Sequence, residues 1–255
     1  MRIAYSRGTG SPSELTLLLR TCARVGYDGL CLRPSQYEPW LADPGAFVHT
    51  YGSLGCAVAG VHVGGGLDGA GVARLRAALR FVRALGGERV VLAHRVDRRD
   101  LSAIDLRAAA RQLCDLGHEA ADQGVALSLQ NHLGGPAMYR KDLEVLFDAI
   151  DDETVWWTAD VSQLYLAGEF DIAGLLREFR FALDNVHLND CAGGTCRALG
   201  QGEVPLAPVF AALQEIGFGG WLTVHDDSGL PLETAAAAGY EYVLGALGRR
   251  EATAA

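Results

Sequence analysis

The chain has 255 residues, 49% of them hydrophobic, which suits one barrel-sized domain with a large core. Its formal net charge of −9 argues against a nucleic-acid binder, which needs a basic stripe to neutralise phosphates. The opening MRIAYSRGTG lacks a signal peptide's apolar stretch, and no run approaches the ~20 apolar residues of a membrane helix. A cytoplasmic protein is therefore expected, with a small molecule rather than nucleic acid or membrane as its partner. The six cysteines are scattered without CxxC spacing, so reduced thiols are expected instead of a disulfide framework or a thiolate zinc knot.

Short apolar runs alternate with amphipathic stretches along the whole chain, as when each strand is followed by a helix that covers the sheet. The runs predict strands at Arg2–Tyr5, Asp28–Leu32, Val58–Val63 and Arg89–Ala93, then at Ala126–Gln130, Val155–Ala159, Asn185–Leu188 and Trp221–Val224. Several are almost unbroken Val, Ile, Leu and Ala, the pattern of parallel strands buried on both faces. The first helix is announced by Ser11 as N-cap, Pro12 at the first helical position and Glu14 completing a capping box, and it ends at Gly26. Helices follow at Tyr37–Leu54, at Arg74–Leu85 closing on Gly86-Gly87, and at Leu106–Gln123 closing on Gly124. Asp142–Ile150, Asp171–Phe181, Pro205–Ile216 and Glu233–Leu247 complete the ring.

Eight such units close most economically into a single (β/α)8 TIM barrel over residues 1–247, with 248–255 as a frayed tail. An open doubly wound sheet competes, but no GxGxxG follows a strand, and Gly64-Gly65-Gly66 lacks the spacing of a phosphate cradle.

In a barrel, chemistry is sought at the C-terminal ends of the strands. Those ends carry His94, Gln130-Asn131-His132, Asp160 with Gln163, His187 with Asp190, and His225-Asp226-Asp227. Arg7, Arg33, Arg95 and Arg197 also follow strand ends, where guanidinium groups suit phosphate or carboxylate recognition. Aromatic residues such as Trp40 offer a face for a sugar ring. His62 and His118 read as structural, and Cys31 as a buried inert thiol.

The segments GYDGLCL, LSLQNH, ADVSQL, NVHLND, LGQGEV and GGWLTVHDD, in this order and spacing, resemble the xylose-isomerase-like barrels of the sugar phosphate isomerase/epimerase type. In that family a divalent metal is held by a Glu on strand five, an Asp on six, a His on seven and a Glu on eight. The resemblance carries these onto Gln130, Asp160, His187 and His225, so both glutamates are replaced. Gln130 cannot act as a base, which leaves His132, His94 or His225 to move a proton. Arg33, Arg197, Asn131, Gln163 and Trp40 are the candidate substrate contacts. The imidazole-rich set shifts metal preference toward Zn, Fe or Co, with Mn the family alternative. Around a divalent ion it leaves a net positive charge, which favours an anionic substrate.

The resemblance implies an isomerase or epimerase of a small sugar, sugar phosphate or related polyhydroxy keto compound. A metal-dependent lyase or dehydratase, a binder that has lost both glutamates, and an oxygenase built on Asp160, His187 and His225 remain open. A homodimer is compatible with such barrels.

Overall fold

A computed structural model describes residues 1–151 and 153–249. Eight parallel strands close into a barrel: β1 (Arg2–Ser6), β2 (Gly29–Leu32), β3 (Val58–Gly65), β4 (Arg89–His94), β5 (Ala126–Gln130), β6 (Trp156–Asp160), β7 (Leu183–Leu188) and, as the eighth, β10 (Trp221–His225). Each runs within a few residues of its predicted span. Closure pairs β1 with β10, placing Ser6 beside His225. Two short strands outside the barrel, β8 (Asp190–Ala192) and β9 (Thr195–Arg197), form an antiparallel hairpin after β7.

The helices follow the expected alternation with physical corrections. In α1 (Pro12–Val25), the Ser11 hydroxyl accepts the Glu14 amide at 3.3 Å, but Glu14 takes the Gly10 amide at 2.7 Å and so does not close the predicted box on Ser11. The predicted Tyr37–Leu54 helix is broken into α2 (Pro34–Tyr37), α3 (Pro44–Tyr51) and short 3-10 turns, because Pro39 and Pro44 cannot donate to a continuous helical ladder. α4 (Gly69–Ala84) and α5 (Ala103–Ala121) begin earlier than expected, at the caps Asp68 and Ser102. The later helices are α6 (Arg140–Phe147), α7 (Val161–Leu166), α8 (Ile172–Glu178), α9 (Leu206–Glu215) and α10 (Leu232–Ala246). Of the predicted tail, Gly248 is still bonded back to Gly245, and 250–255 lie outside the described residues.

The outward face of the strands, with Tyr5, Leu30, Val61, Leu92 and Val186 all buried, packs against the helices as the main core. The inward face is polar in layers. Near the N-terminal floor, Ser128 bonds Thr158 at 2.6 Å and Asp184 at 2.7 Å, and Thr223 donates to Asn185 at 3.0 Å. Arg89 reaches Asp184 at 3.3 Å. Gly60 makes room for it: a Cβ there would meet the Arg89 side chain at 2.5 Å.

Candidate metal centre and active site

Above the polar floor the barrel opens into a cavity of about 640 Å³ at the C-terminal ends of its strands. Two-residue alternation decides which side chains reach it. On β3 the inward residues are Gly60, His62 and Gly64, and on β7 and β10 they include His187 and His225. The imidazoles of His62, His187 and His225 converge, with one nitrogen of each lying within 4.8 Å of the others. Their ring centroids are 4.9 to 5.5 Å apart.

His187 is fully buried, and neither ring nitrogen has a hydrogen-bond partner; the same holds for Nδ1 of His225. An unpaired buried nitrogen costs free energy unless a ligand satisfies it. These two imidazoles together with His62, whose Nε2 lies 3.4 Å from the Ser6 hydroxyl, and a carboxylate close by fit a divalent cation, in the His₃ pattern that imidazole-preferring ions accept. On the far side of His225, Nε2 lies 3.3 Å from Asp227. A carboxylate holding the second nitrogen of a ligating histidine fixes the ring and its tautomer. Arg33 donates to the same carboxylate at 2.7 Å. Burial opposes ionisation of Asp227, but the contacts to His225 and Arg33 outweigh it and bring its carboxyl down to about 2.

Asp160, at the end of β6, puts Oδ2 3.7 Å from His187 Nδ1. Its Oδ1 accepts from the Asn189 amide at 2.9 Å and from the Gln163 backbone at 3.1 Å, so it also caps α7. Burial would raise this carboxyl, yet the facing imidazoles and the Asn189 amide hold it below the ordinary aspartate range. His187 moves the other way: burial, with His225 close by, lowers it to about 4 despite Asp160. His62 is likewise lowered by burial and by the two neighbouring imidazoles. His62 and His187 are thus neutral near pH 7, the form that ligates metal.

Several sequence expectations change here. His62, read as structural, stands in the triad; its alternation with Gly60 and Gly64 was the signal available, and a reading confined to strand ends passes over it. Gln130, expected as a ligand, donates its amide to Asp160 Oδ2 at 2.8 Å and so braces a carboxylate. His94, expected in catalysis, has outward parity on β4 and does not line the cavity; its Nδ1 lies 3.3 Å from the Gly65 carbonyl. Asn131 is out of phase on β5 and clasps the backbone of Asp160, accepting its amide at 2.8 Å and donating to its carbonyl at 3.0 Å. Trp40 packs edge-on against Phe47 and Tyr51, away from the cavity. The two-His-one-carboxylate set becomes a three-His set with Asp160 behind it.

His132, Gln163, Arg33 and Arg197 do line the cavity. The Gln163 side chain accepts the Leu133 amide at 2.9 Å and so anchors the loop after β5. Arg33 is committed to Asp227 and to the backbone carbonyls of Ser6 and Asp226. Arg7, bonded to Asp226 at 2.8 Å, does not line the cavity. Arg95 and Arg197 line it with no ion-pair partner among the described residues. Arg95 lies over Gly64, where a Cβ would stand 3.3 Å from its Nε. Cys31 is buried, and burial pushes its thiol up to about 12, as an inert thiol requires.

The hairpin and the LGQGEV loop are shaped by Asp190. Its carboxylate accepts the backbone amides of Cys191, Gly200, Gly202 and Val204 at 2.8 to 3.1 Å. Gly202 is obligatory in this clasp, since a Cβ there would come within 2.2 Å of Asp190 Oδ1. The clasp sets the hairpin that presents Arg197 to the cavity.

With this geometry in view, residues 19–244 match the family described as "Xylose isomerase-like TIM barrel". The chain belongs to that family. It is similar in fold to an L-ribulose 3-epimerase, with a TM-score of 0.81 at 18% identity, covering 97% of this chain and 94% of the other. The IOLI protein, solved with a bound zinc atom, gives a TM-score of 0.78 at 18% identity, covering 99% and 100%. Among curated proteins, the inosose dehydratase of Clostridium botulinum (strain Alaska E43 / Type E3) is 24% identical over 134 residues, 45% of each chain. That of Klebsiella pneumoniae (strain 342) is 25% identical over 130 residues, 43% of each. The matched region thus spans under half the length of these relatives. Among the described residues no helix is long and apolar enough to cross a membrane.

Proposed function

We propose that this chain is a divalent-metal-dependent enzyme that moves a proton beside the carbonyl of a small, anionic polyhydroxy keto compound, in the manner of the sugar isomerases. The observation that carries the reading is the convergence of three imidazoles, three of whose buried nitrogens lack partners, at the base of an arginine-lined cavity. His62, His187 and His225 would hold the ion, with Asp160 behind them. When bound, a divalent ion there supplies Lewis-acid polarisation of a substrate oxygen. With neutral imidazoles and one carboxylate, the loaded site carries net positive charge and suits an anion. Arg95 and Arg197 are the free guanidinium groups to orient it.

His132 is the proton carrier best placed in the cavity. Its Nδ1 lies 2.9 Å from the Leu133 carbonyl, which fixes the proton on Nδ1 and leaves the Nε2 lone pair to accept another. The family's two glutamates are Gln130 and His225 here, so the pair of bases needed on opposite faces for inversion is missing. One imidazole working on one face suits transfer between adjacent carbons.

Metal-dependent dehydration is the second reading. The same single base would serve it, and the similarity to inosose dehydratases favours it. Incubating metal-loaded protein in D2O with keto sugars, their phosphates and polyhydroxy keto acids tests both. Isomerisation places deuterium beside the carbonyl with the carbon skeleton and its oxygens intact, whereas dehydration lowers the mass by one water. No exchange and no elimination on any of them would overturn the enzyme reading.

A further inference from the structure

Beside the histidine cavity lies a second, open groove of about 740 Å³, walled by the loops after β4 and β5. The two share Arg95 and His132, so they open into one another at the proposed proton carrier. Their characters differ. Where the cavity is built of imidazole, guanidinium and carboxylate groups, the groove presents Val96, Leu133, Met138 and Tyr139. Three of these are exposed large apolar residues, Val96 at 36%, Leu133 at 43% and Tyr139 at 46%.

The charged residues of the groove are already matched. Arg99 is paired with Asp97 at 2.6 Å, and Arg98 with Asp142 at 2.8 Å. That leaves Arg95, at the junction, as the free cation. The groove is also preformed. The Arg98 amide donates to the Gly134 carbonyl at 2.9 Å and ties the two loops together, while Gln163 holds the Leu133 amide. Its apolar side chains are therefore displayed on fixed backbone. Small-molecule sites have this makeup, mostly apolar walls with a few placed polar groups.

We propose that the substrate is a two-part molecule. Its polyhydroxy keto head occupies the histidine cavity, and an aromatic or similarly flat apolar substituent lies in the groove, joined to the head at the level of Arg95 and His132. This rests on the proposed function for the head and on the groove alone for the substituent. A ring laid on Leu133 and Tyr139 loses water from one face, and burial of about half a phenyl group is worth roughly a tenfold gain in affinity.

The test uses the full chain, zinc-loaded and metal-free, with the methyl and phenyl β-D-glucuronides as probes, whose carboxylate supplies the anionic polyhydroxy head, titrated by saturation-transfer NMR. The phenyl compound is expected to bind about tenfold more tightly, with the strongest transfer to its ring protons. A Leu133→Ser, Tyr139→Ser double variant should erase that preference and leave methyl glucuronide binding unchanged, with circular dichroism and zinc content showing the fold intact. Equal binding of the two probes, binding of neither, or a preference that survives the double variant would overturn the proposal. So would a dimer that the double variant converts to monomer with no phenyl preference in the wild type, since a second copy would then cover the groove. Zinc bound without a phenyl preference overturns the two-part substrate and leaves the metal reading standing. A phenyl preference without zinc binding overturns the metal reading and keeps the groove.

Discussion

The floor and the mouth of the barrel are both lined by buried polar side chains, but their unbonded atoms are answered differently. On the floor, Ser128, Thr158, Asn185 and Thr223 bond to one another, and the two atoms there without a hydrogen bond, Arg89 Nε and Asp184 Oδ2, belong to groups of opposite charge that meet at 3.3 Å. At the mouth, His187 has two buried nitrogens with no partner and His225 has one. Polarity by itself therefore does not mark a site. What marks it is several unsatisfied ring nitrogens gathered where a single ion can answer them, whereas scattered orphans such as Thr21 Oγ1 and Trp157 Nε1 mark none.

The largest effect expected from breaking the comparison is on the floor. Arg89→Met strands the buried Asp184 carboxylate and should cost about 3–5 kcal/mol in denaturant unfolding, with metal stoichiometry unchanged. A loss of metal along with stability would mean that the two layers are not independent.

The mouth should show the opposite behaviour in pH. His187 takes up its proton at about 4 in the folded chain against 6.5 in the unfolded one, so between those values the unfolded chain binds more protons. Its contribution is complete above about pH 6.5 and is lost as pH falls toward 4. The expected cost is about 3 kcal/mol, read as a falling midpoint in urea titrations of metal-free protein. His187→Leu should flatten this dependence, and an unaltered slope would show that another group is responsible.

The smallest effect is expected behind the triad. Asp227→Asn removes the charge that fixes the His225 ring and should weaken metal affinity about 10–100-fold in competition with a chromophoric chelator. Unchanged affinity would separate Asp227 from the centre.

Much of the fold was legible in the sequence because several strands are almost unbroken apolar runs, and such runs report burial on both faces directly. The helix ends were legible where a cap stood, as at Ser11 and Gly26. The region after β2 misled because an aromatic-rich stretch looks periodic until Pro39 and Pro44 interrupt it. β8 and β9 gave no signal, since three-residue strands have no period and are held by the Asp190 clasp across the intervening loop. At the site, Asp160, His187 and His225 were legible from their places at strand ends. His94 and Asn131 shared those places but had the wrong parity, and His62 had the right parity three residues before the end of β3. Face, rather than position along the strand, decides entry to the cavity.

The most direct test of the centre is X-ray absorption at the zinc edge, on protein loaded with one equivalent of zinc and compared with a His62→Ala variant. Three imidazoles in the outer-shell scattering of the wild type, falling to two in the variant, is the predicted result. A wild-type spectrum that is unchanged by loss of His62, or zinc that does not bind at all, would contradict a three-histidine centre.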